Sequence, residues 1–364
     1  MSEFKVKGFA EEEACISSNK DTEEMMKKRQ NLPAGYLIRP ARLDDLEAII
    51  EMLNAGSKQL FGVEEFTAGD FKSEWNTPRF DLKRDTQVVI TPDGRLVGYY
   101  DVFDLNEPHV RISGWGQVHP GAGKDIFRAL LDWAKQRGLQ AIPLAPPEAR
   151  IMLIGHARTI DQLAEEVYRE AGYSLERYYL RMVIDLNGQP PEPRWPEGIT
   201  LRSFVAGKDD HRLVQALRES FSDHYGHVEK PFEAELDEFQ QYYRAKEDFD
   251  PSLNFLALDG DEVAGVSLCL PTTDDNPEMG WVHQLGVRRP WRRRGVALAL
   301  LQYSFTEFHR RGRQRVGLGV DAQSLTGATR LYEKAGMRPD PRWQMSGFEK
   351  ELRPGKESSV QSIA

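Results

Sequence analysis

A chain of 364 residues with a formal net charge of −9 and a sequence pI near 5.5 is long enough for about two domains. It is too acidic for a protein whose main task is to neutralise the phosphates of DNA or RNA. Two cysteines, Cys15 and Cys269, offer neither a disulfide framework nor a metal-ligand spacing; with no run approaching the roughly 18 apolar residues of a membrane span, the expectation is a cytoplasmic, unanchored protein that needs no metal.

Residues 1–35 are polar and mixed in charge, and read as a peripheral N-terminal extension. From there "YLIRPARLDDLEAIIEML" reads as a short strand, a turn carrying Asp and an amphipathic helix. "TQVVITPDGRLVGYYDVF" follows as a hairpin around an Asp-Gly turn. "GWGQVHPGAGKDIFRALLDWAKQRG" is a strand, a glycine loop and a long helix, and "EEVYREAGY" is a helix end. "NGQPPEPRWPEG", residues 187–198, packs four prolines and two glycines between strand-like runs and reads as a linker.

Beyond the linker the same order returns. "ITLRSFVAGKDDHRLVQAL" matches the first strand and helix, "NFLALDGDEVAGVSLCL" the hairpin, "WVHQLGVRRPWRRRGVALALLQYSFTEFHRRG" the strand, loop and long helix, and "TRLYEKAGM" the helix end. Arg39 answers to Arg202, Val118 to Val287 and Tyr168 to Tyr332. The chain reads as a tandem duplication of an α/β (α+β) unit, each copy a mixed, mostly antiparallel sheet flanked by helices. The copies span 36–186 and 199–352, and 353–364 is expected to be a disordered tail.

The second copy carries the chemical signal. Five arginines fall within residues 288–294, immediately before a helix that begins with Gly295 and small Ala297. A helix start presents free N–H groups and a partial positive charge, and glycine lets an anion approach the backbone. This pattern predicts a phosphate seat rather than a solvated charged face.

Arg292, Gly295 and Ala297 fit the signature Q/R-x-x-G-x-G/A, and "LGVDAQSLTGATRLYEKAGM", residues 318–337, supplies a strand and a helix ending in Tyr-x-x-x-Gly. With both motifs in order, the chain resembles the GNAT acetyltransferase superfamily, and its tandem plan is similar to that of the two-domain, mycothiol-synthase-like members. In the first copy "VHPGAGKDIF" keeps Val118, Pro120 and Gly123 but has a shorter loop without arginines, so that copy reads as degenerate and catalysis is assigned to the second.

The resemblance implies acetyl-CoA as co-substrate and a small-molecule primary amine as acceptor, in a monomer or homodimer with no nucleic-acid or membrane partner. It implies that the strand backbone at Leu285, Gly286 and Val287 pairs with the pantetheine arm. The N–H groups of Arg292, Arg293, Arg294, Gly295, Val296 and Ala297 would hold the pyrophosphate, with the arginine side chains adding charge. Ser324 stands where relatives place an asparagine against the cofactor arm; its alternative is a turn or N-cap residue. Tyr332 would protonate the leaving thiolate, and the competing reading is a helix-packing ring, since Tyr168 occupies the matching place in the degenerate copy. Relatives carry a glutamate base where this chain has Trp281; His283, two residues on along the same strand face, is the substitute candidate, with Glu278 behind it. The acceptor is expected over residues 218–239, where Asp223, His224, Tyr225, His227 and Glu229 form an acidic rim suited to a cationic amine. The rival reading is a scaffold or sensor that binds acyl-CoA without turnover.

Overall fold

The computed structural model describes residues 32–105, 107–244, 249–273, 275–324 and 327–361, so the extension read over 1–35 lies almost wholly outside the described residues. The first half runs β1 (Leu37–Arg39), α1 (Leu46–Phe61), α2 (Ala68–Trp75), α3 (Leu82–Asp85), β2 (Thr86–Ile90), β3 (Leu96–Phe103), β4 (Arg111–Val118), α4 (Lys124–Leu139), β5 (Ile151–Arg158), α5 (Gln162–Glu170) and β6 (Ser174–Asp185). The second runs β7 (Ile199–Ser203), α6 (Asp210–Phe221), α7 (Phe232–Glu238), β8 (Phe255–Asp259), β9 (Glu262–Leu270), β10 (Met279–Val287), α8 (Val296–Arg310), β11 (Arg315–Asp321), α9 (Ala328–Lys334) and β12 (Arg338–Arg353).

The repeat is visible in its chemistry as well as its order. Arg39 grips both carboxylate oxygens of Asp45 at 2.7 and 2.8 Å, and Asp45 also accepts the Arg42 N–H. Arg202 grips Asp209 at 2.6 and 2.8 Å, and Asp209 accepts the Val205 N–H. In each copy the forked ion pair ties the first strand to the turn that starts the first long helix, a geometry that arginine supplies and lysine does not. Alternation along the strands then sorts the core. On β3, Tyr100 and Val102 join the cluster of α4 and α5, whereas Tyr99 joins that of α1.

All twelve strands form one sheet, in the order β1-β2-β3-β4-β5-β12-β6-β11-β10-β9-β8-β7. The last strand of each half has crossed to the other: β6 pairs with β11 over Tyr179–Asp185, and β12 pairs with β5 over Met345–Arg353. Segments 36–186 and 199–352 therefore do not close two separate sheets. Met182 and Leu186 of the first half are buried in the second half's core, and Phe348 of the second lies in the first half's core, stacked on Tyr168 at 4.6 Å. A repeat read from sequence carries no information about which copy receives a closing strand, because both copies present the same hydrophobic pattern.

The expectation of a disordered tail is corrected over residues 354–361. Lys356 bridges Ala149, Ser359 bridges Val228, and Val360 exchanges two backbone hydrogen bonds with Gly226 and His227 at 2.8 and 2.9 Å. The low apolar content of the tail misleads because its hold is backbone pairing and charge.

Candidate functional site

β10 and β11 run parallel and paired only from Met279↔Arg315 to Trp281↔Gly317. Beyond that, β10 stays with β9 to Val287 and β11 stays with β6 to Asp321, so the two strands part. Leu285 and Val287 lie on the parted stretch of β10, whose edge toward β11 has no strand partner among the described residues. Backbone groups that no strand claims at such an edge suit an extended, amide-bearing chain that adds as a strand. Gly286 serves another purpose: a Cβ there would stand 2.9 Å from the Ser220 Cβ, so its absence lets α6 close on β10.

After Val287 the chain makes one 3-10 turn, Arg289–Trp291, then passes through left-handed conformations at Arg293 (φ 61°) and Gly295 (φ 94°) before α8 begins at Val296. Its N-cap, Gly295, has no side chain to cap it. The first-turn N–H groups and the helix dipole thus face whatever anion lies at the mouth of the parted strands. Val296 is buried in the core and Ala297 half-buried, which anchors the turn from below.

The five arginines divide by their partners: two are tied to neighbouring groups of the protein and three are not. Arg292 donates to Val287 O at 3.1 Å, to Ser220 O at 2.8 Å and to both oxygens of Asp223 at 2.5 and 3.1 Å. Arg288 is held by Glu219 at 2.6 Å and Glu262 at 2.8 Å. These guanidinium groups fasten the loop to its neighbours. Arg289 and Arg294 reach Asp223 and Asp259 only at 3.6 and 3.9 Å, and exposed Arg293 has no ion pair among the described residues, which leaves three arginines able to turn toward a ligand.

Tyr332, on α9, shares an apolar cluster with Leu285, Val287, Leu318 and Val320, side chains from both margins of the gap. It is 8% exposed, its hydroxyl has no hydrogen-bond partner among the described residues, and burial pushes its pKa up to about 12. The proton therefore stays on the oxygen throughout the neutral range. Ser324 lies in the turn between β11 and α9, its N–H bonded to Asp321 O and its carbonyl to the Gly327 N–H. That turn role is the one the structure describes.

On the α6 side of the sheet, the place of the expected glutamate is filled by the Trp281 ring, laid over Gly317 and Gly319. His283 sits at a β-bulge between Val282 and Gln284, exposed and stacked on Tyr243 with ring centroids 5.3 Å apart. It lines a cavity of about 680 Å³. Glu278 is exposed ahead of β10 and lines none of the cavities described.

The acidic rim is also corrected. Asp223 is spent on Arg292, which holds its carboxyl below the usual range, and Glu229 is exposed and paired with Arg218. The Tyr225 hydroxyl donates to Glu349 at 2.9 Å under the Arg177 guanidinium, and burial raises its pKa to about 12. His224 packs on Phe221, and burial lowers its pKa as it does that of His227, which lines the cavity. The same cavity is walled by Asp104, His109 and Arg111 of the first half, residues that sequence reasoning missed because the strand exchange brings them there. Glu235, raised by burial, adds a carboxyl to the wall. Among the described residues, no group of three or more His, Cys, Asp or Glu could hold a metal, and no helix is long and apolar enough to cross a membrane.

Comparison with known proteins bears on this geometry. Residues 212–337 match the model of the Acetyltransferase (GNAT) family. A protein of Geodermatophilus obscurus named mycothiol acetyltransferase is 32% identical over 177 residues, 47% of this chain; the match spans 55% of that relative, about half its length. One of the same name from Salinispora arenicola is 30% identical over 259 residues, covering 68% of this chain and 76% of the relative. The crystal structure of a GCN5-related N-acetyltransferase from Sphaerobacter thermophilus superposes with a TM-score of 0.77 at 34% identity, covering 90% of this chain and 99% of that one. A tandem GNAT protein from the clavulanic acid biosynthesis pathway shares the fold, with a TM-score of 0.65 at 14% identity over 88% of this chain and 100% of that one.

Proposed function

The chain belongs to the GNAT acetyltransferase family, and we propose that its second half transfers an acetyl or short acyl group from acyl-CoA to a primary amine of a small molecule or peptide. One observation carries the reading: the parted edges of β10 and β11 run from an uncapped, glycine-led helix start to the Tyr332 hydroxyl. In this reading the N–H groups from Arg293 to Ala297 hold the pyrophosphate, and the β10 backbone near Leu285 and Val287 holds the arm and polarises the thioester oxygen. The amine attacks the carbonyl carbon as the C–S bond breaks, and the departing thiolate is met by Tyr332.

The pKa of about 12 refines that last role. Handing a proton from such a phenol to a thiolate of pKa about 8.5 to 9 is uphill, so Tyr332 acts chiefly as a hydrogen-bond donor to the sulfur. On the acceptor side, the cavity shared by the two halves takes the amine, and His283 receives its proton directly or through water. The cavity mixes internally paired charges with apolar side chains such as Val214, Leu217 and Phe239, which suits an amine that carries some apolar surface.

Calorimetric titration with acetyl-CoA, followed by thiol-release assays over a panel of amines, tests the reading. One binding site with release on some amine is expected. Binding without release on any amine would favour the sensor reading that Trp281 motivates, and absence of binding would sink the cradle.

A further inference from the structure

The loop at residues 222–228 is one wall of the cavity proposed for the acceptor, contributing Gly226, His227 and Val228. It holds little regular structure, yet the C-terminal segment pairs with its end at residues 226–228. The Gly226 N–H donates to Val360 O at 2.8 Å, the Val360 N–H donates to His227 O at 2.9 Å, and Ser359 bridges Val228. Ser359 is buried, and Val360 and residues 226–228 are half-buried.

The far end of the segment is fastened to the first half. Lys356 exchanges hydrogen bonds with Glu148 O at 2.6 Å and the Arg150 N–H at 2.8 Å, and Glu357 meets the Arg150 guanidinium at 3.3 Å. Gly355 makes the approach possible, since a Cβ there would lie 2.4 Å from Glu148 O. Arg353 adds bonds to the carbonyls of Ile142, Pro146 and Ala149. The counterpart loop in the first half is held differently, by the Asn54 side chain of α1, which bonds the Glu65 and Phe66 backbone. In the second half the loop's internal ties are side-chain ion pairs at its ends, Asp223 with Arg292 and Glu229 with Arg218, and the backbone at 226–228 is bonded by the tail instead.

We propose that residues 355–361 are a positioning strap for the acceptor: they pin the 226–228 wall of the acceptor cavity to the first half and so set acceptor affinity, while the cofactor groove between β10 and β11 is left alone. The inference rests on the acyl-transfer reading of the second half. A wall fixed before binding saves the acceptor the entropic cost of ordering it.

Two variants break the strap differently. Deleting residues 357–364 removes it, and Val360→Pro removes only the N–H that reaches His227; Val360→Ala keeps that N–H and is the control. Both lesions should raise the acceptor KM about tenfold with kcat and acetyl-CoA affinity within about twofold of the parent, and Val360→Ala should match the parent. Amide exchange of Gly226 should quicken in parallel. An unchanged acceptor KM, or acetyl-CoA affinity falling in step with it, would overturn the proposal. If the intact chain binds acetyl-CoA but acylates no amine, the acyl-transfer reading fails and takes the acceptor role with it; unchanged exchange at Gly226 in the truncated chain would instead refute the strap itself.

Discussion

The two halves carry the same tyrosine on the same helix, and they use it in opposite ways. In the first half Tyr168 is fully buried, its ring laid on β5 where Gly155 leaves room: a Cβ there would be 2.4 Å from the Tyr168 Cε1. Its hydroxyl is spent on Tyr100 at 3.0 Å. In the second half the strand position three beyond the first pair with the neighbouring parallel strand holds Leu318 in place of Gly155, and Ser267 stands in the register of Tyr100 but is already bonded to Ser304 at 2.9 Å. Tyr332 is thereby kept off the strand with its hydroxyl unclaimed. The loops differ in the same sense. Both helix starts have a glycine N-cap without a side-chain cap, but Gly123 enters at φ −76° behind a turn in which the His119 ring accepts the Gly121 N–H, whereas Gly295 enters at 94°. A site can therefore fade while its landmark residues persist, because what is lost is the space and the free valence around them.

The contrast holds only if the halves are one folding unit, and separating them is the harshest way to break it. Residues 199–364 produced alone would lack Leu180, Met182, Ile184 and Leu186 from their core and β6 from between β11 and β12. Losing those four side chains costs roughly 5–10 kcal/mol, about the whole stability of a domain. Circular dichroism and size exclusion should find the fragment unfolded or aggregated, and co-production with residues 1–198 should rescue it. A fragment that melts cooperatively and binds acetyl-CoA as tightly as the intact chain would contradict the interlock.

Gly295→Asp attacks the cradle next. It puts a side chain at a left-handed φ and a negative charge at the helix start. Acetyl-CoA binding should weaken at least about 10²-fold while the far-ultraviolet spectrum is unchanged; unaltered affinity would mean that the anion sits elsewhere.

The paired tyrosines sharpen the comparison at smaller scale. Tyr332→Phe should lower kcat by about 10²-fold with acetyl-CoA affinity intact. Because the phenol ionises only near 12, the loss should be the same at pH 7 and pH 9. Tyr168→Phe should leave kcat alone and cost about 1–3 kcal/mol of stability through the stranded Tyr100 hydroxyl. If the two substitutions gave the same phenotype, Tyr332 would be a packing residue as well.

How much of this the sequence discloses depends on the range of the interaction. The Asp-Gly hairpins and the glycine-led α8 follow from local rules, and the candidate roles of Gly295 and Tyr332 can be read because motif spacing fixes both within one half. The exchange of β6 and β12 is not, since pairing between symmetric strands leaves no mark on either pattern. From that exchange follow the other surprises: Arg111 and Asp104 in the cavity shared by the two halves, and a polar segment, 354–361, held by backbone pairing. The acidic rim fails for a related reason. Asp223 reads as free in a string, and its partner Arg292 lies far along the chain.

Arg292 offers the finest test, because its two readings differ in which ligand suffers. As the first residue of the loop signature it belongs to the phosphate cradle. By its four hydrogen bonds it is a strut between that cradle and the end of α6, where the acceptor wall begins. The strut persists at every working pH, since Asp223 stays ionised below the usual carboxylate range. Arg292→Lys keeps the charge but cannot make the fork. For a strut, the acceptor KM should rise about three- to tenfold and acetyl-CoA affinity change by less than about threefold. For a phosphate ligand, acetyl-CoA affinity should fall most, and steeply with added salt. A lysine variant that behaves like a milder Gly295→Asp would return Arg292 to the cradle, and the link between the cofactor loop and the acceptor wall would then rest on the backbone alone.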